Sequence, residues 1–176
     1  MGDIEVRPCS EQDLEIIRLR WPTRGDIHGS HHARQLEGAA TYLVAWRGEE
    51  PLGSGMVQWG GPVGPAARAE LPTAVEVNHL HVRESFRGQG VGRALVGAAE
   101  DLVAQHGDEQ VVLGVSRDNP GARRLYLRLG YVPTGVVEVS EYDWTDDEGV
   151  THHAVEHDEI LVKALTWSTP SGAARN

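Results

Sequence analysis

Several features that would assign this sequence to common protein classes are scarce or missing. Its 176 residues contain one cysteine, Cys9, so an internal disulfide is excluded, as is usual in a reducing cytoplasm. The formal net charge of −10 disfavours a nucleic-acid or anionic-membrane partner, because both would repel the chain. No apolar run approaches the length of a membrane span, and residues 1–6 lack the apolar core of a signal peptide. We therefore expect a cytoplasmic protein with no membrane or nucleic-acid partner.

The order of predicted elements favours one α/β domain over residues 1–166, with a loose tail at 167–176. Turn-forming Gly, Pro, Asn and Asp separate the apolar runs of the domain. A strand beginning at Val75, a helix to about His106 and a buried strand at 111–115 predict a parallel strand pair with a right-handed crossover. Hairpin-like runs before and after this unit complete a mixed, twisted sheet flanked by helices.

In two segments of the domain the apolar residues follow neither helical nor strand periodicity. Residues 22–30 are rich in turn-forming side chains, and a short helix is expected from about His31 to Glu37. Residues 60–72 are a run of Gly, Pro and Ala that is long for a compact domain, so we expect a mobile flap there.

The most informative stretch is residues 75–95, where a strand, a glycine-rich turn and a helix start follow one another. Three alternate glycines at 88, 90 and 92 let the backbone approach a ligand closely, and the first N–H groups of the helix attract an anion. A phosphate-binding P-loop would have Lys and Ser or Thr after Gly92, where this chain has Arg93 and Ala94. The dinucleotide-binding pattern needs a small residue at position 93 or 95, where this chain has Arg93 and Leu95. Both alternatives are therefore disfavoured.

Two motifs point to one family. The pattern Arg87-x-x-Gly90-x-Gly92, preceded by Leu80-x-Val82, resembles the coenzyme A pyrophosphate signature of the GNAT acetyltransferase superfamily. Residues 119–131 resemble its second motif, Asn-x-x-Ala-x-x-x-Tyr-x-x-x-Gly-Phe/Tyr. The resemblance implies a GNAT-like acyl-CoA N-acyltransferase fold. It also implies acetyl-CoA as co-substrate, no metal, and acetyl transfer to a primary amine of a small molecule or peptide.

The resemblance also assigns roles to residues. Tyr126 occupies the position of the acid that protonates the leaving thiolate. Glu76, the carboxylate on the central strand, is the candidate base, acting through water; a solvated polar residue is an equal alternative. Coenzyme A contacts are expected from Leu80, His81, Val82, Arg87, Gly88, Gln89, Gly90, Val91, Gly92, Arg93 and Asn119. Acceptor contacts are expected from Trp21, Asp26, His28 and Asn78.

Two other function classes stay open at this point. A domain that binds acyl-CoA as a sensor would keep the glycine turn without needing Tyr126 or Glu76. The sequence from His153 to His157 matches the inverted zinc-protease pattern, which would indicate a zinc hydrolase. That pattern requires a helix, whereas here it follows a glycine turn and runs into a strand-like segment. Solvated histidines at a strand edge are therefore favoured over a metal site.

Acidic residues are concentrated between positions 138 and 148. Because a cluster of one sign enriches the opposite charge, and the family places this hairpin near the acceptor, it favours a cationic acceptor such as a polyamine, an amino sugar or a basic peptide end. Acidity that only serves solubility is an equal alternative. The sequence leaves a monomer and a homodimer equally open. The acids are Glu138, Glu141, Asp143, Asp146, Asp147 and Glu148.

Overall fold

The computed structural model describes residues 2–145 and 148–166, so the expected tail at 167–176 and the acids Asp146 and Asp147 lie outside the described residues. The described chain contains seven strands and five α-helices. The strands are β1 (Glu5–Pro8), β2 (Ala40–Arg47), β3 (Glu50–Gln58), β4 (Val75–Val82), β5 (Gln110–Ser116), β6 (Val132–Thr145) and β7 (Thr151–Ala164). The helices are α1 (Glu11–Arg20), α2 (Ile27–Leu36), α3 (Pro65–Glu70), α4 (Val91–His106) and α5 (Pro120–Arg128).

The seven strands form one mixed sheet in the order β1-β2-β3-β4-β5-β7-β6. Neighbouring strands are antiparallel except for β4 and β5, which are parallel and joined through α4. This arrangement confirms the predicted mixed sheet and its central parallel pair. None of the helices in the described ranges is long and apolar enough to cross a membrane.

Helices cover both faces of the sheet. Helix α4 packs its apolar stripe, which includes Val91, Leu95 and Val103, against the main cluster of buried strand residues. On the opposite face, Leu14 and Ile17 of α1 lie in a second cluster with inward residues of β2 and β3. The sheet is thus the middle of three layers, and its central strands are buried on both sides.

Strand β4 contains a bulge that changes which face its side chains use. His79 has a positive φ of 50°, and the pairing of β3 with β4 shifts between Ser54 and Met56. Before the bulge Val77 packs with the α4 cluster, and after it Leu80 and Val82 pack against that same cluster. Two consecutive residues, Asn78 and His79, therefore share the opposite face, and His81 joins them there.

Residues 60–72 do not form an uninterrupted loop as predicted, because the segment contains helix α3 and is held at two points. Glu138 of β6 accepts hydrogen bonds from the backbone N–H groups of Ala66 and Ala67 at 3.0 and 3.3 Å, which caps the first turn of α3. Glu76 accepts a 2.7 Å hydrogen bond from the N–H of Val63. Glu138 lies 72 residues from Ala66 and Glu76 lies 13 residues from Val63, so the composition of the segment itself could not reveal this support.

Helix α2 begins at Ile27, four residues before the expected start near His31. Asp26 adopts a left-handed conformation with φ 49° and accepts a hydrogen bond from the N–H of Gly29, which caps the helix. Because glycine and three histidines interrupt any apolar period, only this cap marks where the helix starts.

Candidate functional site

A large cavity opens where β4 and β5 separate. In the described chain β4 pairs with β5 only at Val75 and Glu76, and the strands part beyond that point. The cavity has a volume of about 1040 Å³, enough for a ligand at the upper end of the small-molecule range. The sequence-predicted residues that line it are Leu80, His81, Val82, Arg87, Gly88, Gly90, Val91, Gly92, Arg93, Asn119 and Tyr126.

One end of the large cavity is the glycine turn before α4. Gly88 and Gly90 have positive φ values of 73° and 86°, a conformation that residues with a Cβ rarely adopt. Gly90 precedes the helix without a side-chain cap, and the first intrahelical bond runs from the N–H of Ala94 to the carbonyl of Gly90 at 3.0 Å. The N–H groups between these residues have no carbonyl partner within the helix. The turn can therefore bind a phosphate through backbone donors.

Gln89, predicted to contact the cofactor, is not among the residues that line this cavity. Its Nε2 group donates to the carbonyl of Ser85 at 3.0 Å, and its Oε1 accepts from Arg47 at 3.2 Å. Arg87 does line the cavity, and its Nε donates to the Val82 carbonyl at 3.3 Å. Gln89 therefore braces the turn against its neighbours, while Arg87 adds a positive charge at the cavity wall.

The exposed edge of β4 forms one long wall of the large cavity. His81 and Val82 pair with Ser54 and Gly53 of β3 on one side, whereas β5 has moved away on the other. An extended ligand arm with amide groups can align along this open edge as an added strand would. The neighbouring position, Leu80, is also part of the wall.

Helix α5 brings Asn119 and Tyr126 to the opposite wall. The Oδ1 atom of Asn119 caps α5 by accepting from the N–H of Ala122 at 3.1 Å, which leaves its Nδ2 group as a donor for a ligand carbonyl. Tyr126 is 7% exposed, and its ring packs edge-on against Tyr131 with centroids 6.2 Å apart. Burial raises the pKa of Tyr126, so its hydroxyl is protonated at neutral pH and can act as an acid.

Glu76 and Asn78 lie on the sheet face opposite α4, beside the residues that line a second cavity but not among them. Burial raises the pKa of Glu76, while the hydrogen bonds from Val63 and Asn78 act in the opposite direction. The Oδ1 atom of Asn78 accepts from Gln58 at 3.2 Å, and Arg34 of α2 donates to the same glutamine at 2.8 Å. Both predicted residues are therefore anchored by polar contacts that their positions in the sequence did not indicate.

A small cavity of about 300 Å³ lies on the other side of β4, between the bulge and the segment that joins α1 to α2. It shares Leu80 and His81 with the large cavity, so the two meet at the bulged part of β4. The small cavity is lined by Trp21, Thr23, Ile27, His28, His31, Ser54, His79, Leu80 and His81. Trp21 and His28, both predicted acceptor contacts, are thus brought to its wall.

His28 is fixed by hydrogen bonds at both ring nitrogens. Its Nε2 lies 3.0 Å from the carbonyl of Trp21, which can only accept, so Nε2 carries the proton. Its Nδ1 lies 2.6 Å from the hydroxyl of Tyr42 and therefore accepts from it. Because His28 is only 3% exposed, its main role is to position Trp21 and Tyr42, and little of its surface is open to a ligand in the cavity.

The histidines around the small cavity are held in their uncharged form. Burial lowers the pKa of His31 to about 4, and nearby His79, His28 and Arg34 add to that effect. Burial is also the main cause of the lowered pKa of His28, and partial burial has the same effect on the more exposed His79 and His81. At neutral pH the wall therefore carries no charge from its imidazole groups.

The remaining predicted acceptor residue, Asp26, does not line the small cavity. Its carboxylate caps α2 and pairs with Arg18. His31 and His79 line the cavity instead, although neither was among the predicted acceptor contacts. They are far apart in the chain and come within 4.9 Å, measured between ring centroids, only because of the β4 bulge and the early start of α2. No sequence spacing links them.

The possible zinc motif lies on strand β7, as its context predicted. Four residues of a strand span about 13 Å, which is too far for His153 and His157 to bind one ion together. His153 contacts Asp143 at 2.8 Å. Within the described ranges, no group of three or more ligating side chains could hold a metal ion.

Comparison with curated proteins supports an acetyltransferase relationship. An uncharacterized N-acetyltransferase of Methanocaldococcus jannaschii is 35% identical over 69 residues, which is 39% of this chain and 30% of that protein. The chain thus spans less than a third of that relative's length.

Comparison with solved structures shows the same fold. An N-acetyltransferase from Staphylococcus aureus Mu50 has a TM-score of 0.68 at 14% identity, covering 94% of this chain and all of that one. The Salmonella typhimurium protein yncA, solved with its cofactor acetyl-CoA, has a TM-score of 0.64 at 19% identity over 98% of this chain and all of its own. The sequence model of the acetyltransferase (GNAT) family matches residues 10–131, which is more than half of the chain. This protein belongs to the GNAT acetyltransferase family.

Proposed function

We propose that this protein transfers an acetyl group from acetyl-CoA to a primary amine of a small molecule or peptide. The observation that carries the proposal is the large cavity, whose lining combines the glycine turn before α4 with Tyr126 of α5. Such a cavity matches a ligand with phosphates at one end and a reactive group at the far end of an extended arm. The second cavity, which meets it at Leu80, offers the acceptor an approach from the opposite side of β4.

The hydrogen-bonding and charged groups along the large cavity match successive parts of acetyl-CoA. Backbone N–H groups at Gly88 to Arg93 and the Arg87 guanidinium would hold the pyrophosphate. The open edge of β4 at residues 80–82 and the Nδ2 group of Asn119 would pair with the amide groups of the arm. The thioester would then lie where the two cavities meet, close to Tyr126.

Tyr126 is the proposed acid. Attack of the amine nitrogen on the thioester carbonyl breaks the carbon–sulfur bond, and the sulfur leaves with the electron pair. The Tyr126 hydroxyl donates its proton to that sulfur and is later reprotonated from solvent. Its raised pKa suits this role, because the group must carry a proton at the pH of the reaction.

Glu76 is the proposed base, acting through water. The amine arrives mostly as ammonium, so one proton must leave before attack. Burial raises the pKa of Glu76, which makes it a better proton acceptor, and its position beside Asn78 puts it on the acceptor face of β4. Its hydrogen bond from Val63 occupies Oε2, and the other carboxylate oxygen would receive the proton.

An assay of free thiol released from acetyl-CoA in the presence of a panel of primary amines tests this proposal. Tyr126→Phe should bind coenzyme A with unchanged affinity and lower turnover by about 10²-fold or more. Tyr142→Phe is the matched control, because Tyr142 is 44% exposed on β6 and bonds to Glu156. Coenzyme A binding with no thiol release for any amine would instead support a non-catalytic acyl-CoA sensor.

A further inference from the structure

The small cavity is built mainly from flat rings. Trp21 stacks on His81 with ring centroids 5.6 Å apart and meets His28 edge-on at 4.5 Å. His31 and His79, which also line the space, have ring centroids 4.9 Å apart. Rings in such a wall gain most from another ring, in an offset-stacked or edge-on arrangement.

The cavity has no counter-ion for a positive charge. None of the described residues that line it is acidic, and its imidazoles are uncharged at neutral pH. A cation could still bind over the Trp21 ring, but the Arg83 guanidinium already lies 5.7 Å from that ring's centroid. Arg34 adds a second positive charge near His31 and His79. Although the Glu50 carboxylate pairs with Arg83, no described lining residue would offer a second ammonium group a carboxylate of its own.

The position of the cavity determines which part of an acceptor it receives. It meets the large cavity at Leu80 and His81, so an amine that reacts at this junction has the rest of its structure in the small cavity. At about 300 Å³ the space is at the lower limit for small-molecule sites, which suits a compact group.

We propose that the small cavity receives the non-reacting end of the acceptor and that this end is an uncharged aromatic ring. This inference rests on the proposed acetyl transfer and narrows its acceptor to small ring-bearing primary amines. It disfavours the polyamines and basic peptide ends that the acidic hairpin suggested.

Two amines of similar length and opposite character test the inference. For the wild-type protein, kcat/KM for 2-phenylethylamine should exceed that for 1,5-diaminopentane by about tenfold or more, as expected when a stacked ring replaces an uncompensated charge. Titration of each amine into protein saturated with coenzyme A should give the same order of affinity. Equal values, or a preference for the diamine, would overturn the inference.

A pair of variants at one position tests whether the missing counter-ion causes the selectivity. His79 has a positive φ, which Asn and Asp tolerate best among residues with a Cβ, so both substitutions suit the backbone. His79→Asp should shift the ratio of kcat/KM values at least tenfold further toward the diamine than uncharged His79→Asn, which removes the same ring without adding a charge. An identical ratio in both variants would contradict the inference.

The outcomes also separate the two proposals. Ring-selective binding without thiol release would overturn the proposed transfer and leave the cavity's selectivity standing as a binding property. Thiol release with a preference for the diamine would support the transfer and overturn the inference. Absence of both binding and release would overturn both.

Discussion

Removing the half-buried imidazole of His31 should reduce the loss of stability on acidification. Burial holds the pKa of His31 at about 4, whereas a histidine in the unfolded chain titrates near 6.5. The unfolded state therefore binds more protons between these values, so the stability present above pH 6.5 is lost as the pH falls toward 4. From these two pKa values, His31 alone should make the folded protein about 2 kcal/mol less stable at about pH 5 than at about pH 8.

Urea unfolding at the two pH values measures this difference directly. His31→Asn should lower stability at the higher pH but show a pH difference smaller by about 2 kcal/mol. His157→Asn is the control for loss of an imidazole, because His157 is exposed on β7, and it should keep the wild-type difference. If His31→Asn and the control both keep the full wild-type difference, His31 is not held uncharged and the argument for a neutral cavity wall fails.

Three further predictions concern the glycine turn, helix α1 and the acidic hairpin. Coenzyme A at about a hundredfold over its dissociation constant should stabilise the wild type by about 2.7 kcal/mol, a rise in Tm of roughly 5–10 °C. Gly90→Glu should abolish that rise in a thermal-shift assay, while Gly97→Glu on the same helix, where a Cβ meets nothing within 4 Å, should keep it. Asp13→Ala should cost about 2 kcal/mol in urea unfolding, because Asp13 caps α1 and accepts a 2.8 Å hydrogen bond from Arg7; an unchanged midpoint would contradict this. The kcat/KM of the best acceptor should change less than about twofold as salt rises beyond 0.1 M, and a steep fall would instead support steering by the hairpin.

The fold was largely predictable from the sequence because its elements have strong local patterns. Asn119 with Pro120 marks the start of α5, the glycine turn marks the start of α4, and the apolar run in β5 predicts a strand buried on both faces. The capping box of Ser10 and Asp13 likewise marks the start of α1. In each case the side chains that define the element lie next to each other in the chain.

Much of the wall of the small cavity could not be predicted, because long-range contacts define it. Strict alternation would put Asn78 and Leu80 on one face of β4, but the bulge at His79 separates them and turns Leu80 toward the α4 cluster. Helix α3 depends on Glu138, more than 70 residues away. Asp26 was predicted to contact the acceptor, and in the structure it caps α2.

At least two acidic side chains in the described part of the β6–β7 hairpin have structural roles. Glu138 caps α3, and Asp143 pairs with His153 at 2.8 Å. Both carboxylates therefore have partners within the protein, which weakens the case that the hairpin exists to attract cations.

The most direct test of the central claim is a crystal structure of the protein with coenzyme A bound. The pyrophosphate should accept hydrogen bonds from the N–H groups at the start of α4, beside Gly90. The arm should run along residues 80–82, and the sulfur should lie within about 3.5 Å of the Tyr126 hydroxyl. A coenzyme bound elsewhere, or a sulfur far from Tyr126 with the pyrophosphate in place, would contradict the proposed site or the proposed acid respectively.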